Sequence, residues 1–195
     1  LRMPDERQNL LFSATLPKEV ESLVEDFLPG AERVQIGSRS QSASTITHRF
    51  AAVSVSDKPS ALERLLFNET GKVLVFCNKK IGCEKLGNML KRAGLPADSI
   101  HGDKSAEARH MCLGAFSRGR TRFLIATDVA GRGIDVDDVE LVVNYDFPLA
   151  LEDYIHRSGR TGRAGKKGRA VSFVAPSEKR LYEAVKAHLS GKEVT

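Results

Sequence analysis

The chain has little cysteine and no long hydrophobic run. Its 195 residues include three cysteines, an odd number with no CxxC pair: Cys77, Cys83 and Cys112. A disulfide framework and a zinc site of paired ligands are therefore disfavoured. No apolar stretch approaches the roughly 18 residues that a membrane span needs, and the N-terminus lacks the apolar region of a signal peptide. We expect no membrane contact and a reducing compartment, cytoplasmic or nuclear.

The charge is unevenly distributed along the chain. Residues 1–44 carry 5 basic and 7 acidic side chains, which gives 5 − 7 = −2. The remaining residues carry 25 basic and 18 acidic side chains, which gives +7 and a net charge of +5 for the whole chain. A basic excess in the later part favours an anionic partner such as a nucleic acid.

A small polar segment, residues 38–44, is typical of a linker. Before it, Gln8 to Thr15 predicts a strand, Pro17 to Leu28 a helix with one apolar face, and Val34 to Ile36 a further short strand. This piece is too small to bury an apolar face of its own. We expect the first strand, separated from its parent sheet, to self-associate with the edge of another copy or to lie against the second domain.

After the linker, strand and helix patterns alternate. The predicted strands are 50–55, 73–76, 97–100, 122–126, 141–145 and 169–174, and the predicted helices begin after Asp57, at Ile81, after Ser105, at Leu151 and after Ser177. This alternation predicts an α/β fold with a parallel sheet covered by helices on both faces. Ligands of such sheets bind beyond the carboxyl ends of the strands, so we expect the polar residues that follow the strands, residues 154–165 among them, to converge there.

The arginine-rich run, Tyr154 to Gly165, carries an arginine at every third position and three interleaved glycines. So many glycines disfavour a helix and predict a loop. Guanidinium groups present a rigid charged fork suited to phosphate, and glycine lets the backbone approach a ligand. The run therefore indicates a polyphosphate or nucleic-acid contact, and the alternative is a solvated basic surface.

Two other runs carry polar groups at strand ends. In Ala126 to Asp135, Thr127 and the backbone amides can hold a phosphate, and Asp135 can accept hydrogen bonds from a ribose. The alternative is a tight connection in which aspartate is only a turn residue. In Phe12 to Thr15, Thr15 can equally serve as the N-cap of the following helix.

Taken together and in order, five segments resemble motifs III to VI of DEAD-box ATP-dependent RNA helicases: 13–15, 75–78, 101–103, 126–135 and 156–163. The last has the HRxGRxGR form, which separates DEAD-box proteins from the DEAH group. The resemblance implies a RecA-like α/β fold in which residues 45–195 form the second of two domains that close over ATP and single-stranded RNA. Residues 1–37 would be the tail of the first RecA-like domain, and residues 38–44 the linker.

The resemblance also implies roles for individual residues. Arg160 and Arg163 would act catalytically, as arginine fingers on the γ-phosphate of ATP, with Gly133 and Asp135 also at the nucleotide. The RNA backbone would be held by six residues: Asn78, Lys79, Gly102, Asp103, Arg109 and Thr127. Three more would couple ATP turnover to strand separation: Ser13, Thr15 and His156. No metal ligand is implied in this chain.

The sequence departs from the family pattern in a few places. Ala106 stands where the family usually has glutamine, and Gly131 replaces a common alanine. No GxxxxGK[ST] loop and no Asp-Glu-Ala-Asp run occurs, so the resemblance implies that the phosphate-binding lysine and the Mg²⁺ ligands lie on the first domain, which would be a partner. We therefore expect this chain alone to hydrolyse no ATP. Two alternatives remain. One is a docking platform for proteins, which the loss of the finger arginines and of Asp135 from the sequence would have indicated. The other is a DNA-translocating helicase, which the sensitivity of nucleic-acid binding to the 2′-hydroxyl would distinguish.

Overall fold

A computed structural model describes residues 4, 6–12, 18–34, 45–131, 136, 138–163 and 165–191. The chain divides into two compact units, Leu1–Gln41 and Ser42–Thr195. The division falls within the predicted linker, and the assignment of the two units to successive RecA-like domains stays a prediction. Over these described ranges, no helix has both the length and the apolar character needed to cross a membrane.

The first unit contains the predicted helix, α1 (Lys18–Phe27). The strand predicted from Gln8 is wrong for residues 8–12, which form no regular structure and pair with no described strand. A strand is stabilised by its neighbours in a sheet, and without them Leu10 and Phe12 are 68% and 90% exposed. Residues 13–17 and 35–36 lie outside the described residues, and association between copies through this segment stays a prediction.

The second unit is built on six parallel strands in the order β1–β6–β5–β2–β4–β3. Their bounds are β1 Ile46–Ala52, β2 Lys72–Phe76, β3 Ala97–Ile100, β4 Phe123–Ala126, β5 Val139–Asn144 and β6 Gly168–Val174. The predicted α/β class is confirmed. The first strand begins four residues earlier than the sequence predicts, because Ile46 to Ala52 pair along the whole length of β6.

The connecting helices are α2 Lys58–Phe67, α3 Lys80–Arg92, α4 Ala106–Ser117, α5 Asp128–Gly131, α6 Leu151–Ser158 and α7 Lys179–Leu189. Ser177 does not cap the last helix as predicted, since it lies inside a 3₁₀ turn, Pro176–Glu178, that precedes α7. There the backbone N–H of Ala175 donates to Glu178 Oε2 at 2.6 Å, which closes the turn. Part of the run from Ala126 to Asp135 forms the short helix α5, which begins two residues after β4.

Helices cover both faces of the sheet. Alternate residues of β2 point to opposite sides, with Val73 and Val75 packed under α2 and α3, and Leu74 and Phe76 packed with α4. All four are almost completely buried, as a strand covered on both faces requires. The three cysteines are free thiols inside these layers.

Candidate functional site

The carboxyl ends of β2, β4 and β5 lie side by side. Phe76 pairs with Ala126 of β4 and with Asn144 of β5, so the residues that follow these strands leave the sheet at one edge. Neighbouring strands are about 4.8 Å apart. The structure therefore brings together Asn78 and Thr127, as the sequence predicts, and adds Asp146.

Arg157 lies at the centre of this edge. Helix α6 continues to Ser158, so Arg157 lies in its last turn rather than in a loop, and it is 1% exposed. Its Nε and Nη2 donate to the two carboxylate oxygens of Asp128 at 2.6 Å each. Nη2 also donates to Asn78 Oδ1 at 2.7 Å, and Nη1 donates to the carbonyl of Asp146 at 2.8 Å. One buried guanidinium thus joins α6, α5 and the loops after β2 and β5.

Asn78 is held on three sides. Besides accepting from Arg157, its side-chain amide donates to the carbonyl of Phe147 at 3.0 Å. Its backbone N–H donates to Asp146 Oδ2 at 2.9 Å. The amide side chain therefore has protein partners at both its oxygen and its nitrogen. These partners fix the orientation in which Asn78 meets a ligand. Lys79, the next residue, is exposed.

Lys58 forms an ion pair with Asp146. This lysine is only 4% exposed, and its Nζ lies 4.0 Å from Asp146 Oδ1 and 3.8 Å from Glu178 Oε1. Two carboxylates offset the cost of burying the ammonium group. The pairing links the start of α2 and the end of the 3₁₀ turn to the loop that orients Asn78.

A second cluster follows β3. Glu84 Oε2 accepts from the hydroxyl of Ser99 at 2.6 Å and from His101 Nε2 at 2.9 Å. These two hydrogen bonds lower the pKa of Glu84, the serine contributing most. His101 is buried, so the segment that leads to Gly102 and Asp103 is fixed at its base.

The predicted RNA-contact residues of this segment are open to solvent. Gly102 and Asp103 are exposed, and Asp103 forms an ion pair with Lys80 at 2.5 Å that lowers the pKa of the aspartate. Arg109 lies in the first turn of α4, where Ser105 Oγ caps the helix by accepting from the N–H of Ala108 at 3.2 Å. Thr127, in contrast, is only 6% exposed.

The arginine loop, residues 159–165, leaves this edge. Thr161 Oγ1 donates to the carbonyl of Val139 at 2.5 Å, at the amino end of β5. The expectation that the whole arginine-rich run lies beyond the carboxyl ends is therefore wrong for this part. The residues that follow α6 therefore lead from the carboxyl edge to the edge where β1 and β5 begin, since Thr45 Oγ1 donates to the carbonyl of Gly162 at 2.9 Å.

The loop orients its two arginines through the backbone. Arg160 Nε donates to the carbonyl of His156 at 3.1 Å, and Arg163 Nε donates to the carbonyl of Gly159 at 3.0 Å. Gly162 has φ +69°, and a Cβ there would lie 2.7 Å from Ile46, so the turn requires glycine. The result is a glycine-rich turn that presents two half-buried guanidinium groups.

A small cleft lies between these two regions, lined by Phe76, Asp128, Gly131, Asp153, His156, Arg157 and Arg160. His156 and Arg160 thus share one surface with the Asp128 carboxylate. Four predicted site residues lie outside the described residues: Ser13, Thr15, Gly133 and Asp135. Within the described ranges, no three His, Cys, Asp or Glu side chains are grouped as a metal site.

Sequence reasoning missed Arg157, Lys58 and Asp146. The period of three suggests that Arg157 points outward with its two neighbours in the run. A helical continuation of α6 would have placed Tyr154, Arg157 and Ser158 on one face, and all three are buried. Asp128, two residues after the buried strand β4, was the available signal for a partner of the arginine.

Residues 57–165 match the family described as Helicase conserved C-terminal domain. The chain is 40% identical over 188 residues to the ATP-dependent RNA helicase DbpA of Bacillus subtilis, covering 96% of this chain and 39% of the relative. It is 46% identical over 181 residues to DEAD-box ATP-dependent RNA helicase 20 of Arabidopsis thaliana, covering 91% and 36%. The chain thus spans well under half the length of these curated relatives.

Solved structures agree with these matches. Dbp5 of S. cerevisiae bound to RNA and ADP BeF3 superposes with a TM-score of 0.88 at 32% identity, over 99% of this chain and 52% of that one. E. coli SrmB bound to the regulator of ribonuclease activity A gives a TM-score of 0.66 at 36% identity, over 71% and 82%. These likenesses confirm the RecA-like fold that the sequence predicts.

Proposed function

Because this chain belongs to the helicase conserved C-terminal domains, and among them to the DEAD-box proteins, we propose that it is the second RecA-like lobe of an ATP-dependent RNA helicase. In this role it binds the backbone of single-stranded RNA and supplies arginine fingers for ATP hydrolysis coupled to duplex unwinding. The first RecA-like domain is its partner and holds the Mg²⁺ ligands. Three buried free thiols suit the cytoplasm or nucleus that we propose as its location.

The observation that carries the proposal is the buried Arg157. Its guanidinium fastens Asn78 and Asp128, the neighbour of Thr127, to the helix that leads into the arginine loop. The proposed RNA contacts and the proposed ATP contacts are therefore mounted on one internally bonded frame. A ligand that orders one part of such a frame favours the arrangement that the other ligand needs, so RNA and ATP binding become coupled.

The RNA side of the proposal uses charge and backbone rather than base edges. Lys79 is exposed and Arg109 is half-buried, so both can reach phosphates at the edge of the sheet. Gly102 has no side chain to obstruct a close approach by a strand. Contacts of this kind grip a nucleic acid without regard to its sequence. Asn78 and Asp103 complete the proposed surface, one fixed by Arg157 and the other paired with Lys80.

The ATP side uses the arginine loop. Arg160 and Arg163 suit a triphosphate, since the guanidinium fork matches phosphate oxygens and the glycine turn fixes its direction. A nucleotide bound there supplies a γ-phosphate that develops charge during transfer, and an arginine finger is worth about 10³–10⁵ in rate in nucleotide hydrolases. His156, at the cleft beside Arg160, is the proposed coupling residue together with Ser13 and Thr15.

The test is RNA-stimulated ATP hydrolysis by the longer protein that contains this chain. We expect Arg160→Ala and Arg163→Ala each to lower turnover by about 10³-fold or more, while RNA affinity changes little. Arg180→Ala, on the exposed start of α7, is the matched control and leaves turnover unchanged. Unchanged turnover in both loop variants would overturn the finger assignment. The 195-residue chain by itself is expected to show no RNA-stimulated hydrolysis.

A further inference from the structure

Four basic side chains gather at the amino ends of β2 and β4: Lys72, Arg118, Arg120 and Arg122. We call this group the basic corner. Because all strands are parallel, it lies at the sheet edge opposite Asn78 and Thr127. The four residue-to-residue steps along β2, at 3.3 Å each, separate the two ends of this strand by about 13 Å.

Two cations of the basic corner donate hydrogen bonds to carbonyl groups. Lys72 Nζ donates to the carbonyl of Ser117 at 2.8 Å. Arg122 Nη1 donates to the carbonyls of Glu69 and Thr70 at 3.2 Å each. Arg118 and Arg120 are exposed on the loop between α4 and β4. The carbonyl groups orient the side chains of Lys72 and Arg122 but, being uncharged, leave their positive charge in place.

Carboxylates of the same edge already have other partners. Arg169 donates to both oxygens of Glu69, at 3.0 and 2.5 Å. Lys166 pairs with Asp138 and lowers the pKa of that aspartate. The Glu140 carboxylate lies beside Gly71, and with Glu69 its negative charge raises the pKa of Arg169. Among the described residues of this edge, three carboxylates thus face six basic side chains, so the edge keeps a net positive charge: Glu69, Asp138 and Glu140 against Lys72, Arg118, Arg120, Arg122, Lys166 and Arg169.

An exposed aromatic ring precedes the basic corner along the chain. Phe67 ends α2 and is 80% exposed. It lies two residues before Glu69, whose carbonyl holds Arg122. Basic side chains beside an exposed ring are the combination that single-stranded nucleic acids recognise, since phosphates meet the cations and a base stacks on the ring.

We propose that the basic corner and Phe67 form a second RNA-contact surface. This surface binds the backbone of a single-stranded RNA that extends beyond the edge of the β-sheet. The inference rests on the proposed function, because it takes RNA as the substrate. A phosphodiester backbone fits better than an acidic peptide, since guanidinium forks match phosphate oxygens and the exposed ring can stack on a base. The contact reads no sequence.

The experiment measures binding of a labelled single-stranded RNA to the 195-residue chain by fluorescence anisotropy over a range of KCl concentrations. Removing two phosphate contacts with Arg118→Gln/Arg120→Gln should make the slope of log K against log salt shallower by about 1.4, at 0.7 per contact. Arg180→Gln/Lys186→Gln, which removes the same charge from α7, should leave the slope unchanged. Phe67→Ala should weaken binding without changing the slope.

The outcomes separate this inference from the proposed function. A wild-type slope in Arg118→Gln/Arg120→Gln would overturn the second surface, while weaker binding by Lys79→Ala/Arg109→Ala would still support the proposed site. If only the corner variant weakens binding, the second surface stands and the proposed RNA site falls. Displacement of the RNA by inorganic phosphate as effectively as by unlabelled RNA would also overturn the inference. All substituted side chains are exposed or half-buried, so unchanged melting temperatures check the fold.

Discussion

Replacing Arg157 with alanine tests the frame on which the proposed site is built. The substitution removes a side chain that is 1% exposed and donates to groups on three other parts of the fold. It leaves the Asp128 carboxylate without its bidentate partner, and it leaves Asn78 Oδ1 and the carbonyl of Asp146 without their donor. The guanidinium also lies 5.2 Å from the ring centre of Phe76, so packing is lost as well.

The expected cost follows from these groups. Removing one partner of a buried ion pair destabilises a protein by about 3–5 kcal/mol. The Asp128 side chain is 26% exposed, so water recovers part of its solvation and the lower end, about 3 kcal/mol, applies. For a chain of this size each kcal/mol lowers Tm by about 2–4 °C, which gives a fall of about 6–12 °C.

The measurement is thermal unfolding followed by circular dichroism, with urea unfolding as a second assay. Arg157→Lys keeps the charge but has a single nitrogen, which cannot bind both oxygens of Asp128 and also reach Asn78. It should fall between wild type and alanine. Arg160→Ala, in the arginine loop, should cost less than about 1 kcal/mol as a half-buried control. A Tm for Arg157→Ala within 2 °C of that control, when each kcal/mol is worth about 2–4 °C, would refute the argument.

Three further predictions concern stability and reactivity. Gly168→Ala should destabilise by about 3 kcal/mol, because the added Cβ lies 2.5 Å from a backbone nitrogen of the arginine loop, whereas Gly82→Ala, with open space around it, should be neutral or stabilising in the same urea titration. Burial lowers the pKa of His48 below 6.5, so protonation favours the unfolded chain. The free energy of unfolding should therefore be constant above pH 6.5 and decrease below it. His48→Asn should flatten that decrease, and an unchanged pH profile in this variant would contradict the prediction. Burial raises the pKa of the Cys83 and Cys112 thiols to about 12. A thiol reagent should therefore react with them only as fast as the chain unfolds. Rapid reaction in the folded chain would contradict this prediction.

Much of the second unit follows from local patterns in the sequence. Val73 to Phe76 is continuous and apolar, which predicts a strand covered on both faces, and β2 is that strand. Ser105 predicts a helix start, and its hydroxyl caps α4. Such signals succeed because capping and apolar periodicity act within a few residues. The strand predicted from Gln8 fails for the opposite reason, since a strand depends on partners that its own residues cannot supply.

The sequence by itself determined the layered α/β fold, the strand-end positions of Asn78 and Thr127, and the glycine-rich turn that carries Arg160 and Arg163, because each depends on residue type and short-range spacing. Only the tertiary structure decided that Arg157 turns inward. That choice depends on Asp128 and Asn78, which are 29 and 79 residues away along the chain and meet the guanidinium only after the sheet has formed. Three arginines of equal spacing thus differ in role, since burial of a charge is favourable only where distant groups are already arranged to receive it.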